Sequence, residues 1–136
     1  MALRFQDIAL GDTAPPRRAA LGRTDFVRYA GASGDFNPMH HDEIKATAAG
    51  MPSVFGHGML SAGILASAVT EWVGIGALTH YAVRFTKQAW PDVTLEALIE
   101  VTGKDEQALT VDLACSLVDA SGTVVVQGTA TARLAA

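Results

Sequence analysis

The sequence predicts an α+β domain in which an antiparallel sheet wraps one long helix. Two observations predict it. The segment "MLSAGILASAVTEWV", inside Gly58 to Val73, is apolar nearly all round, with Ala62, Gly63, Ala66 and Ala68 interspersed. A helix without a polar face is buried on most sides, and its small residues let other backbone approach closely. From residue 93 onward the period drops to two. Val93, Leu95, Ala97, Ile99 and Val101 alternate with Thr94, Glu96, Leu98 and Glu100; Leu109, Val111, Leu113, Cys115 and Leu117 then do the same, and Val124 and Val126 continue it. That period belongs to half-buried antiparallel strands. An apolar helix and a sheet with one apolar face solve each other's burial problem.

The elements follow in order. "GDTAPPRRAALGR" is the most loop-like stretch, because Pro15-Pro16 excludes regular helix. A helix then starts at a Thr24 cap, with Asp25 favouring the positive end of its dipole. Phe26, Val27, Tyr29 and Ala30 form its apolar face, and Gly31 to Gly34 end it. Asp42 caps a short helix that Gly50 closes, and the turn "GMPSVFGHG" leads into the long helix. "THYAVRFTK" is the first strand after it, and "GKDEQ" and "DASG" are hairpin turns. The expectation is about four strands in a meander.

A chain of 136 residues is read as one domain, 1–136, and its 49% apolar content against 18% charged suits a core plus a face covered by a partner subunit. The net charge of −4 gives no reason to expect nucleic acid or an anionic membrane. Arg17, Arg18, Arg23 and Arg28 cluster near the start, as a solvated face or as a contact for a phosphorylated carrier. The one cysteine, Cys115, excludes an internal disulfide and reads as a small core residue. "MALRFQDIAL" lacks the pattern of a signal peptide, and the interrupted segment 58–73 is too short to span a bilayer. A cytoplasmic protein is expected.

The chemistry is concentrated in "SGDFNPMHHDEIKA", Ser33 to Ala46. Acid–base catalysis needs two proton-handling groups that reach one centre or one shared water. Asp35 and His40 stand five residues apart around Asn37-Pro38, which stiffens the segment as a loop. Histidine exchanges protons near neutral pH. The same spacing also makes an Asx turn, in which Asp35 bonds its own backbone; spacing alone leaves both readings standing. His41 is expected to face solvent, since adjacent residues of an extended chain point to opposite sides. His40, His41, Asp42 and Glu43 could hold a metal by composition, but consecutive residues seldom converge on one ion and no zinc spacing is present. No metal is expected.

"GHG", Gly56 to Gly58, opens the long helix. The first amides of a helix lack internal partners, and a glycine there lets an acyl oxygen approach. This suits an oxyanion pocket for a thioester carbonyl; equally, the glycines serve a tight junction, with His57 a hydrogen-bonded structural residue. Trp72, Trp90 and Phe85 could line an acyl channel or fill the core. His80 is incidental, and Glu71 emerges near the helix end.

"YAGASGDFNPMHHD" followed by "VFGHGMLSAGILAS" resembles the MaoC-like hydratases and dehydratases, the (R)-specific enoyl-thioester hydratase group, with the B subunit of (3R)-hydroxyacyl-carrier-protein dehydratase the nearest likeness. "FQDIALGDTAP" looks like the family's opening strand and turn, and "VRFTKQAWPDVTL" like its strand after the central helix. The resemblance implies a hotdog fold and a hydro-lyase that interconverts trans-2-enoyl and (3R)-3-hydroxyacyl thioesters. It implies Asp35 and His40 as the catalytic pair. Asn37, His57, Gly58 and Met59 would surround the substrate, Asn37 bracing the loop and the backbone near Gly58 holding the carbonyl. No cofactor is implied, since coenzyme A or carrier phosphopantetheine arrives with the substrate. Partners implied are a second copy or a related hotdog subunit, and an acyl carrier protein as an alternative thioester donor. Gly63 departs from the serine of several homodimeric members, and "WPDVTL" lacks the glycine common before the family's aspartate, with Pro91 as the substitute turn former. A thioesterase on the same scaffold, or a non-catalytic subunit, would share much of this pattern.

Overall fold

The computed structural model describes residues 3–136, so the first two residues of the expected domain lie outside it. Three helices precede most of the sheet: α1 (Arg23–Ser33), α2 (Glu43–Ala48) and α3 (Gly58–Val73). The strands are β1 (Arg17–Ala20), β2 (Leu78–Phe85), β3 (Thr94–Asp105), β4 (Thr110–Asp119) and β5 (Val124–Arg133). They form one antiparallel sheet in the order β1-β3-β4-β5-β2. The sheet packs around α3 in the hotdog arrangement.

The alternating runs behave as their period requires. Leu95, Ala97, Ile99 and Val101 of β3 and Val111, Leu113, Cys115 and Leu117 of β4 point inward, against Leu65, Val69 and Val73 of α3. Several details differ from the sequence expectation. There are five strands, because β1 forms inside the stretch read as loop, directly after Pro15-Pro16, and pairs with β3. The segment "FQDIALGDTAP" holds a 3₁₀ turn at Phe5–Asp7 and an isolated bridge from Thr13 to Glu100, so the opening strand falls later than the resemblance implied. Only β3-β4-β5 is a meander; β2 joins the far edge beside β5. In β5 the buried residues are Val125, Val126, Ala130 and Ala132; Val124 is not among them, because the register shifts at a bulge opposite Val118.

Helix α1 begins at Arg23 on a Gly22 cap, so Thr24 lies in the first turn and is not the cap. The Asp25 carboxylate accepts the Gly22 N–H at 2.8 Å instead. Gly34 ends α1 in the left-handed region (φ 78°), returning its amide to Ala30. Asp42 does cap α2, accepting from the Lys45 amide at 3.1 Å. In "WPDVTL" it is Asp92, not Pro91, that takes the left-handed conformation (φ 64°), and its amide donates to Leu21 at 2.8 Å. Helix α3 retains one open seam: Met59, Gly63, Ser67 and Glu71, four residues apart, all face outward. No helix among the described residues is long and apolar enough to cross a membrane.

Candidate active site

The catalytic candidates stand between the end of α1 and the start of α3. After Gly34 the chain turns through Asp35 and Asn37 into one 3₁₀ turn, Pro38–His40, rather than the plain loop expected. Both Asx contacts form: the Asp35 Oδ1 accepts from the Asn37 amide at 3.2 Å, and the Asn37 Oδ1 from the Met39 amide at 3.1 Å. The turn and the site are therefore compatible, since a carboxylate occupied through one oxygen has further lone pairs to offer. Asn37 braces this segment, and its oxygen is spent on the backbone.

His40 is buried, while His41 beside it is exposed and bonds through Nε2 to the Phe36 carbonyl at 3.1 Å. The His40 Nδ1 lies 2.7 Å from the Phe55 carbonyl oxygen. A carbonyl only accepts, so Nδ1 carries the proton and Nε2 keeps a free lone pair. Burial lowers the pKa of His40 below 6.5; the Phe55 bond opposes this, His57 lowers it further, Asp35 raises it and His41 lowers it. The group is thus held as a neutral base near pH 7.

The third member is His57, which sequence reasoning placed at the substrate. Its ring is 1% exposed, stacks on His40 with centroids 3.9 Å apart, and donates from Nε2 to the Asp35 carbonyl at 3.0 Å. An Asp35 oxygen and one ring nitrogen from each histidine lie within 4.8 Å of one another. A donor set of this composition could also hold a cation. However, the two rings are only 28° from parallel, so their in-plane lone pairs run side by side, and one nitrogen of each already serves a carbonyl. The spacing fits a bridging water better. The juxtaposition of His57 with His40, seventeen positions away in the chain, was not legible from either motif.

Gly58 opens α3, and neither its amide nor that of Met59 has an acceptor among the described residues. The Phe85 ring covers Gly58 so closely that an added Cβ would sit 3.2 Å from it. An open cleft of about 280 Å³ runs past Phe55, Gly56, Gly58, Phe85 and Lys87. Phe85 therefore lines the cleft, half exposed, whereas Trp90 packs edge-on against Phe55 and Trp72 lies against the core. The Met59 side chain points outward. The larger hollow, about 520 Å³, is on the sheet around Leu98, Ser116 and Gln127 and contains none of this chemistry. Three of the clustered arginines are ion-paired, Arg17 with Glu71, Arg18 with Glu96 and Arg23 with Glu43, which favours the solvated-face reading over a carrier contact. Cys115 is buried in the core, its thiol pushed up to about 11 by burial.

The model of the MaoC-like domain matches residues 9–120. The chain is 30% identical to an (R)-specific enoyl-CoA hydratase of Rhodospirillum rubrum, over 97% of this chain and 92% of that one. Among solved structures, a MaoC-like dehydratase superposes with a TM-score of 0.93 at 33% identity, covering 98% of this chain and 43% of the other. An unliganded R-hydratase from Pseudomonas aeruginosa superposes with a TM-score of 0.86 at 26% identity, covering 98% and 86%. The chain belongs to the MaoC-like dehydratase family and is an enzyme of the hydro-lyase class.

Proposed function

We propose that this chain is an (R)-specific enoyl-thioester hydratase, running reversibly as a (3R)-3-hydroxyacyl-thioester dehydratase. The observation that carries the reading is the convergence of the Asp35 carboxyl and the buried His40 imidazole beside two free helix-terminal amides. A separation of up to 4.8 Å suits one water hydrogen-bonded to both groups.

In hydration the thioester carbonyl lies in the cleft beside Gly58 and accepts from the amides that open α3. His40 Nε2 takes a proton from the water as its oxygen attacks C3. Asp35 delivers a proton to C2 on the same face. The proton held by His40 then returns to Asp35, closing the cycle. Charge that develops on the carbonyl oxygen meets the positive end of the α3 dipole. A thioester suits this chemistry because its carbonyl accepts charge and acidifies the α-proton. The acyl group is carried by coenzyme A or by the phosphopantetheine of a carrier protein, and the step needs no metal or redox cofactor.

The working unit contains a second hotdog subunit, identical or related. Support comes from β2, an edge strand with no partner beyond β5 among the described residues, and from the exposed seam of α3. The test is to assay the purified chain on trans-2-enoyl-CoAs of increasing length. Loss of the conjugated double bond without release of thiol supports hydration; thiol release would favour the thioesterase alternative.

A further inference from the structure

His57 meets both the Asp35 loop and His40 from one buried position. Its Nε2–H donates to the Asp35 carbonyl at 3.0 Å, its face lies 3.9 Å from that of His40, and the Tyr29 ring meets it at 4.8 Å and 59°. Its own carbonyl shares a peptide plane with the Gly58 amide. Yet its Nδ1, also buried, has no hydrogen-bond partner. A bare buried acceptor is a stability penalty, so packing alone would favour a different side chain here. Phenylalanine would keep the aromatic face but lose the bond to Asp35. Glutamine would keep a donor of similar reach but lose the face.

We infer that His57 is a positioning residue, whose one ring fixes the Asp35 loop, the His40 imidazole and the Gly58 amide in a single arrangement. The inference rests on the hydratase reading of the site. It also predicts an electrical signature at His40, which burial, His57 and His41 hold down and the Phe55 carbonyl and Asp35 hold up. The Tyr29 ring also packs against His57, tilted by 59°.

The test compares His57→Phe and His57→Gln in steady-state hydration of crotonyl-CoA across pH. His57→Phe is expected to lower kcat between about ten- and a hundredfold with little change in KM, the size of loss that misplaced catalytic groups produce. His57→Gln should recover part of that loss. In both, the acid limb of kcat/KM should move to higher pH, which a residue that merely fills space would not cause. Wild-type kcat and an unmoved limb in both variants, with activity lost in His40→Ala, would overturn the inference and leave the hydratase reading intact. Full activity in His40→Ala would overturn the hydratase reading itself. If either variant fails to fold, ¹⁵N NMR of the unmodified protein decides: His57 must be the Nε2–H tautomer, and an Nδ1–H tautomer overturns the inference.

Discussion

His40 keeps a free lone pair on Nε2 because the Phe55 carbonyl holds the proton on the other nitrogen. That assignment makes the two adjacent histidines unequal: His40 is buried and poised, His41 exposed and turned to the Phe36 carbonyl. Asp35→Asn or His40→Ala should each reduce turnover by at least about a hundredfold, whereas His41→Ala should stay close to wild type in the same assay. The pH dependence has a definite sign. A base whose pKa is lowered in the folded protein stays unprotonated further into acid, so the acid limb of kcat/KM should have its midpoint below 6.5. Linkage gives stability the same direction. Between the lowered folded value and the ordinary unfolded one, the unfolded chain binds more protons, so the His40 contribution is intact above about pH 6.5 and is lost as pH falls through the folded pKa. Urea unfolding at a series of pH values checks it.

The elements show how much of the chain was legible and why the remainder was not. The strands β3 and β4 and the helix α3 have strong periods, so the sequence located them well. β1 has four residues after a diproline, too short for a period to register. The placement of β2 beside β5 depends on closing the sheet around α3, a relation between distant segments that no local pattern contains. The bulge in β5 buries Val125 beside Val126 in place of Val124, again invisible without its partner strand. At the turn before β3, Asp92, directly after Pro91, stands in the left-handed region that glycine adopts most easily. Asp92→Gly should remain within about 0.5 kcal/mol of wild type, an ordinary surface effect. Asp92→Val should cost at least about 1 kcal/mol, since a Cβ-branched residue tolerates that conformation poorly. Gly128 has a stricter reason: a Cβ there would lie 2.3 Å from the Ala82 carbonyl oxygen, which belongs to the backbone of β2. Gly128→Ala should therefore loosen β2 from β5 and lower stability by about 1–3 kcal/mol in denaturant unfolding.

Taken whole, the molecule places its candidate groups on one rim, where the Asp35–His40 turn meets the mouth of α3, and among the described residues the outer edge of β2 has no strand partner. Phe85 joins the two features, since it belongs to β2 and roofs Gly58. A subunit that pairs along this edge would also wall the cleft, and light scattering at assay concentrations should give a mass of at least two subunits. The candidate groups fall in two short runs, which is why the sequence could single them out; the stacking of His57 on His40 was not legible, because it arises only when those runs meet. The central claim is that Asp35 and His40 add water across a thioester-conjugated double bond. It is tested most directly by incubating the chain with crotonyl-CoA and determining the configuration of the product alongside the Asp35→Asn and His40→Ala variants. The account predicts (3R)-3-hydroxybutyryl-CoA from the wild type and nearly none from either variant; the (3S) product, or undiminished turnover in either variant, would contradict it.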